Sequence, residues 1–153
     1  MPPVHTYRAH CSWRGSTGVG YDAYERAHDA EAPPAEVALR LSGDPAFRGD
    51  ATLLNPEQLL VLAASSCQLL AFLAVAARAR IDVLEYDDNA EGEMDEGDAP
   101  SRINRITLRP RVVVAVGPTR DRIRHLLEVA HRECFIANSL RSEMTIEPVI
   151  ELR

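Results

Sequence analysis

The sequence predicts an α+β fold, a mostly antiparallel sheet wrapped around two central helices. Three observations lead there. Strand-like segments come in runs and do not alternate one for one with helices, which disfavours a doubly wound parallel sheet. Two segments carry helix signals. The longer of them, Gln58 to Ala77, contains no charged residue, so it is apolar on every side and has to be covered on every side. A small domain wraps such a helix most simply with a sheet on one flank and a second subunit on the other.

The elements follow in order. Residues 4 to 13 and 20 to 28 mix aromatic and polar side chains around Gly15, Gly18 and Gly20, the pattern of two hairpin strands joined by a loose loop. Pro33-Pro34 breaks the chain before a third strand, Val37 to Leu41, in which apolar and polar residues alternate. Ser42 to Leu54, with Gly43, Pro45 and Gly49, reads as an irregular loop. Asn55-Pro56-Glu57 is a helix start: Asn caps, Pro occupies the first helical position and Glu suits the positive end of the dipole. That helix should run to about Arg80, where Arg78 and Arg80 complement the negative end. Ile81 to Met94 and Ile103 to Val116 read as strands around the acidic turn Asp95 to Asp98. Gly117-Pro118 stops the second of them, and Thr119 caps a helix on which Ile123, Leu127, Ala130 and Cys134 share one face. Thr145 to Leu152 reads as a last strand.

The 153 residues are 46% hydrophobic and 26% charged, enough for a buried core and the size of one domain, 1–153. A net charge of −6 leaves no electrostatic footprint for nucleic acid. All 17 basic residues are arginine, which excludes Schiff-base chemistry and a phosphate-loop lysine. Cys11, Cys67 and Cys134 are an odd, widely spaced set that fits neither a disulfide framework nor a four-ligand zinc site. The N-terminal MPPVHTYRAH lacks the apolar run of a signal peptide, so a reducing cytosol is the expected compartment. Ser65, Ser66, Cys67 and Gln68 interrupt the long apolar helix where a bilayer would tolerate them least, which argues against a membrane span.

Chemistry centres on the thiols. Taken singly, Cys67 and Cys134 would be small buried hydrophobes. As a pair they mean more, because two central helices of one core pack together, and facing thiols in a reducing compartment suit one that is oxidised and one that resolves it. A mid-helix thiol gains little from the dipole, so activation of Cys67 needs a cation. Without lysine it must be an arginine, with Arg14, Arg26, Arg40 and Arg48 as candidates.

Asn55-Pro56-Glu57-Gln58-Leu59-Leu60, followed ten residues after Glu57 by Cys67, resembles the signature of the OsmC/Ohr family of osmotically inducible and organic-hydroperoxide-resistance proteins. Cys134-Phe135-Ile136-Ala137-Asn138-Ser139 resembles that family's second cysteine segment. Gly18-Val19-Gly20-Tyr21 and Asp44-Pro45-Ala46-Phe47-Arg48-Gly49-Asp50 look more like its OsmC-like branch. The resemblance implies an intertwined homodimer without metal or bound cofactor, acting as a thiol-dependent peroxidase on organic hydroperoxides. Cys67 would be the peroxidatic thiol and Cys134 the resolving one. Glu57 would orient an arginine of the early hairpin, best matched by Arg26 and second by Arg14. An external dithiol such as a dihydrolipoyl group would reduce the resulting disulfide. The alternative is a non-catalytic module of the same fold that binds a small apolar or thiol ligand.

Helix geometry adds a constraint: ten residues separate Glu57 from Cys67 by about 15 Å, so a composite site at a dimer interface is expected, with Glu57 of one subunit near Cys67 of the other. Leu70, Phe72 and Phe47 are candidate pocket walls whose default is core packing. Tyr21 and Tyr24 either line the pocket mouth or pack on the sheet. His10 and Cys11 point to opposite strand faces and do not easily share an ion with His5 or His28. His125 and His131 read as surface residues, and Asp95 to Asp98 as a solvated turn.

Overall fold

A computed structural model describes residues 1–153. The chain divides into two compact units, Met1–Leu59 and Leu60–Arg153.

The first unit holds a three-stranded antiparallel sheet of β1 (His10–Ser12), β2 (His28–Glu31) and β3 (Ala38–Leu41). Cys11 lies opposite Ala30, and Ala30 opposite Leu39. The expected hairpin is present, but its second strand begins at His28 and not near residue 20. The reason is competition for carbonyls: Arg26 takes those of Tyr21 and Tyr24, the Trp13 indole takes that of Glu25, and Gly20 O closes a turn onto Ala23 and Tyr24. A backbone so engaged has few acceptors left for a ladder. The loop that follows contains a short 3₁₀ turn, Pro45–Phe47, capped by Asp44. Gly49 is obligatory there, since a Cβ would lie 1.7 Å from the Gly43 carbonyl oxygen.

Helix α1 (Pro56–Arg78) starts as expected. Asn55 Oδ1 accepts from the Gln58 N–H at 2.8 Å, and Gln58 Oε1 accepts from the Asn55 N–H at 3.0 Å, a reciprocal cap that satisfies two otherwise orphaned donors. At the far end Arg80 adopts a left-handed φ of 58°. The N–H groups of Arg80 and Ile81 return to the carbonyls of Ala77 and Ala76, closing the helix as a glycine normally would. By length and composition α1 is apolar enough to cross a membrane.

In the second unit, β4 (Val83–Asp88), β7 (Pro110–Val114) and β9 (Val149–Leu152) form one sheet. A second sheet consists of β5 (Glu91–Met94), β6 (Ile103–Leu108) and β8 (Glu143–Ile146). Each of the three long strands expected from sequence is therefore split between two sheets. Two breaks have clear causes. Asp88 Oδ1 captures the Arg109 N–H at 2.7 Å and Pro110 has none to give, so the ladder ends there; Pro148 does the same between β8 and β9. The pairings β4–β7 and β5–β6 are antiparallel, whereas β6–β8 and β7–β9 are parallel.

Helix α2 (Arg120–Glu133) is capped by Thr119, whose Oγ1 accepts from the Arg122 N–H. It ends at Cys134, where the backbone turns extended before the short α3 (Phe135–Ser139).

Two apolar clusters meet along α1. Toward its C-terminus, Phe72, Val75 and Ala76 pack with Val112, Val114, Ile123, Leu127, Ala130 and Ile150. Toward its N-terminus, Ala64 packs with Ile106 and Leu108, bordered by Leu60, Ile136, Met144 and Ile146. The helix approaches β5 so closely that a Cβ on Gly92 would stand 2.4 Å from a Val61 methyl. Cys67 falls between the two clusters.

Candidate active site

Cys67 sits in the middle of α1, half-buried, and Cys134 is fully buried at the α2–α3 break. The two thiols are neighbours, close enough for Cys67 to act on the titration of Cys134. Residues 67 positions apart in sequence thus form one dithiol, within the second unit. Cys11 is exposed on β1 and is no part of it.

The surroundings fix both sulfurs. Ser65, two residues before Cys67, donates to Asp88, the carboxylate that also holds the Arg109 N–H. One side chain therefore ties α1 to the point where the sheets part. Cys134 caps α3, its Sγ accepting from the Ala137 N–H at 3.5 Å. Burial pushes the Cys134 thiol above its ordinary value; the Ala137 N–H works against that shift and the neighbouring Cys67 adds to it. A buried sulfur is costly to ionise, and a second sulfur beside it disfavours a second negative charge.

A consequence is testable. Only the thiolate attacks, and its fraction at neutral pH falls as pKa rises. Oxidative closure of the Cys67–Cys134 pair should therefore accelerate close to tenfold per pH unit between about pH 7 and 9. Stopped-flow tryptophan fluorescence or quenched alkylation would measure it, and a flat profile over that range would contradict the burial argument.

Two groups that sequence reasoning did not single out flank the dithiol. Gln68 is completely buried, its Nε2 donating to the Leu127 carbonyl at 3.1 Å while its Oε1 has no partner. The Tyr86 hydroxyl is also buried without a partner. Burial foremost, then Asp88 and Cys134, holds it well above the usual phenol range, so it remains an O–H donor. Its ring packs on Phe72 at a centroid distance of 5.9 Å. A glutamine inside an uncharged helical run was a visible signal for the first; nothing local marks the second.

The remaining candidates are placed as follows. Arg26 is half-buried and donates to the carbonyls of Tyr21 and Tyr24. Its guanidinium carbon lies 3.6 Å from the Tyr24 ring centroid and 4.8 Å from that of Tyr21. Both tyrosines therefore hold the arginine, a role different from the two considered for them. Glu57 is half-buried in the first turn of α1, and neither hydrogen bond of Arg26 goes to it. Arg14 is exposed. Phe72 is core, as its default reading had it, whereas Leu70 and Phe47 are exposed. His131 departs from expectation, being half-buried with an unpartnered, buried Nδ1. The acidic turn is cross-linked as well as solvated, through an Asp98–Arg102 pair at 3.0 Å. No three His, Cys, Asp or Glu side chains converge as metal ligands.

Comparison with known proteins gives a consistent pattern. A family model described as OsmC-like protein matches residues 49–149. An OsmC-like protein of unknown function from Vibrio cholerae superposes with a TM-score of 0.86 at 29% identity, covering 95% of this chain and 100% of that one. An organic hydroperoxide resistance protein from Elizabethkingia anophelis gives 0.74 at 18% identity, with 100% of both chains covered. The organic hydroperoxide resistance protein OhrB of Bacillus subtilis gives 0.62 at 22%, covering 97% and 98%. No curated protein matches the sequence.

Proposed function

The chain belongs to the OsmC-like family, by a match spanning residues 49–149, and from that premise we propose that it is a thiol-dependent peroxidase that reduces organic hydroperoxides. The observation that carries this reading is that a half-buried and a fully buried thiol, brought from two helical segments, are neighbours in one unit. A structural pair of hydrophobes needs no such asymmetry, whereas a peroxidatic and a resolving sulfur do: one must meet substrate, the other must not.

The cycle balances as follows. The Cys67 thiolate attacks the distal peroxide oxygen, the O–O bond breaks, and the alkoxide takes a proton to leave as alcohol, so Cys67 becomes a sulfenic acid. The Cys134 sulfur then attacks the Cys67 sulfur, the S–O bond breaks, and water leaves with the Cys134 proton. An external dithiol, a dihydrolipoyl group by its chemistry, restores both thiols by exchange. In this reading Arg26 is the activating cation, held by Tyr21 and Tyr24, and Glu57 helps to orient it. No metal or cofactor takes part, and the protein works in a reducing cytosol.

We further propose that the active form is a homodimer. Leu62, Leu70 and Leu73 are 57%, 62% and 39% exposed on α1, and Ala63, Ala74 and Ala77 are exposed beside them. An apolar stripe of this kind, broken only by the exposed Ser66, is a surface for another subunit.

The test is turnover. With cumene or tert-butyl hydroperoxide and excess dihydrolipoamide, the protein should consume peroxide catalytically, and faster than it consumes hydrogen peroxide. No turnover with any dithiol would leave the alternative, a module that binds a small apolar or thiol ligand without reaction.

A further inference from the structure

We propose that Gln68 is a positioning residue for the Cys67–Cys134 pair, a clamp that sets the register of α1 against α2 so that the two sulfurs can bond. The inference rests on reading the pair as a redox dithiol and goes beyond it, since it assigns a role to a side chain that touches neither substrate nor reductant.

Gln68 lies on the most deeply buried face of α1, in line with Ala64, Phe72, Val75 and Ala76. Every other side chain on that face is apolar. An amide there gains one hydrogen bond, to the Leu127 carbonyl, and leaves its Oε1 without a partner. The orphaned acceptor costs at least as much as the bond is worth, so a leucine or methionine of similar volume would stabilise the core at least as well. Stability does not account for the residue. Geometry does.

Only the Nε2 end of the amide can face a carbonyl, so the orientation of the side chain is determined. The bond reaches a backbone atom of α2, and backbone positions are quantised: a slip of one residue moves the acceptor by about 1.5 Å along the axis and 100° around it. Apolar packing alone tolerates small shifts of that kind, and a directional bond does not. It is attached at the two places that matter. Gln68 adjoins Cys67 in sequence, and Leu127 lies two turns before Cys134 on the same buried stripe of α2. Disulfide formation has narrow tolerance in Cα and Cβ separation, whereas attack of a thiolate on a diffusing peroxide does not depend on where α2 lies.

The experiment separates closure from sulfenylation. Wild type, Gln68→Met and Gln68→Leu are oxidised with cumene hydroperoxide and, in a parallel arm, with diamide. The diamide arm needs no peroxide chemistry: two thiols lose their hydrogens to the diazene, which becomes a hydrazine as the S–S bond forms. Quenched alkylation follows disulfide closure, and a dimedone-type probe follows the Cys67 sulfenic acid. Both variants should fold with melting temperatures no lower than wild type, form the sulfenic acid within threefold of the wild-type rate, and close the disulfide at least tenfold more slowly in both arms. The sulfenic acid should then accumulate.

Closure within twofold of wild type in either variant overturns the clamp. So does a slowing that appears only with a fall in melting temperature of several degrees, since that marks a general packing role. So does a wild-type protein that fails to close with diamide. A wild-type protein that closes with diamide but not with hydroperoxide overturns the peroxidase reading alone, and the clamp is then judged on the diamide arm.

Discussion

Cys67→Ser is expected to lower hydroperoxide consumption by about 10³-fold or more, because a serine hydroxyl is no substitute for a thiolate nucleophile. Cys134 is wholly buried and held in its protonated form by that burial, and Cys11 lies exposed on β1 in the other unit. The contrast with Cys134→Ser is the informative part. That variant should still consume about one equivalent of hydroperoxide per chain, because only resolution has been removed, and then stop with Cys67 trapped as sulfenic acid or oxidised further. A ferrous-oxidation peroxide assay with intact-mass spectrometry reads both. Equal loss in the two variants would mean that Cys134 takes part in the first step, against the order of events derived above.

Phe72→Ala should destabilise the fold by about 3–5 kcal/mol, the range for truncating a fully buried aromatic side chain. Phe72 is 0% exposed and bridges α1 to Tyr86 on β4, within the cluster that also holds Val112, Ile123 and Leu127. A ring removed from there leaves a void that rigid neighbours on a sheet and a second helix cannot fill. Urea unfolding followed by circular dichroism should show a lower midpoint at an unchanged slope. A loss below about 1 kcal/mol would show that the cluster collapses around the gap.

What the sequence revealed, and what it hid, divides along the range of the interactions. The start of α1 was legible because Asn55, Pro56 and Gln58 act within one turn of each other. The buried stripe of α2 was legible because Ile123, Leu127 and Ala130 follow a simple period, and Cys134 follows it too, although the helix itself ends one residue earlier. The splitting of the long strands was not legible at Asp88, since it depends on a carboxylate that reaches Arg109 across 21 positions. The parallel pairings of β8 and β9 were hidden for the same reason. Arg26 illustrates the opposite error: Tyr21 to Tyr24 looked like strand, yet the arginine two residues on takes their carbonyls and bends the segment into turns. At the site, motif spacing pointed to both cysteines and Gln68 stood out as a polar break in the apolar run, while its partner on α2 and the whole of Tyr86's part emerged only once α2 and β4 were in place around them.

The central claim is that Cys67 and Cys134 act as one redox couple within a single chain, and peptide mapping after oxidation addresses it most directly. Wild-type protein treated with one equivalent of cumene hydroperoxide, alkylated and digested without reductant, should yield a peptide pair joined through Cys67 and Cys134 in near-stoichiometric amount, with Cys11 alkylated. Recovery of both cysteines as free thiols, or of Cys67 joined to any partner other than Cys134, would contradict the account.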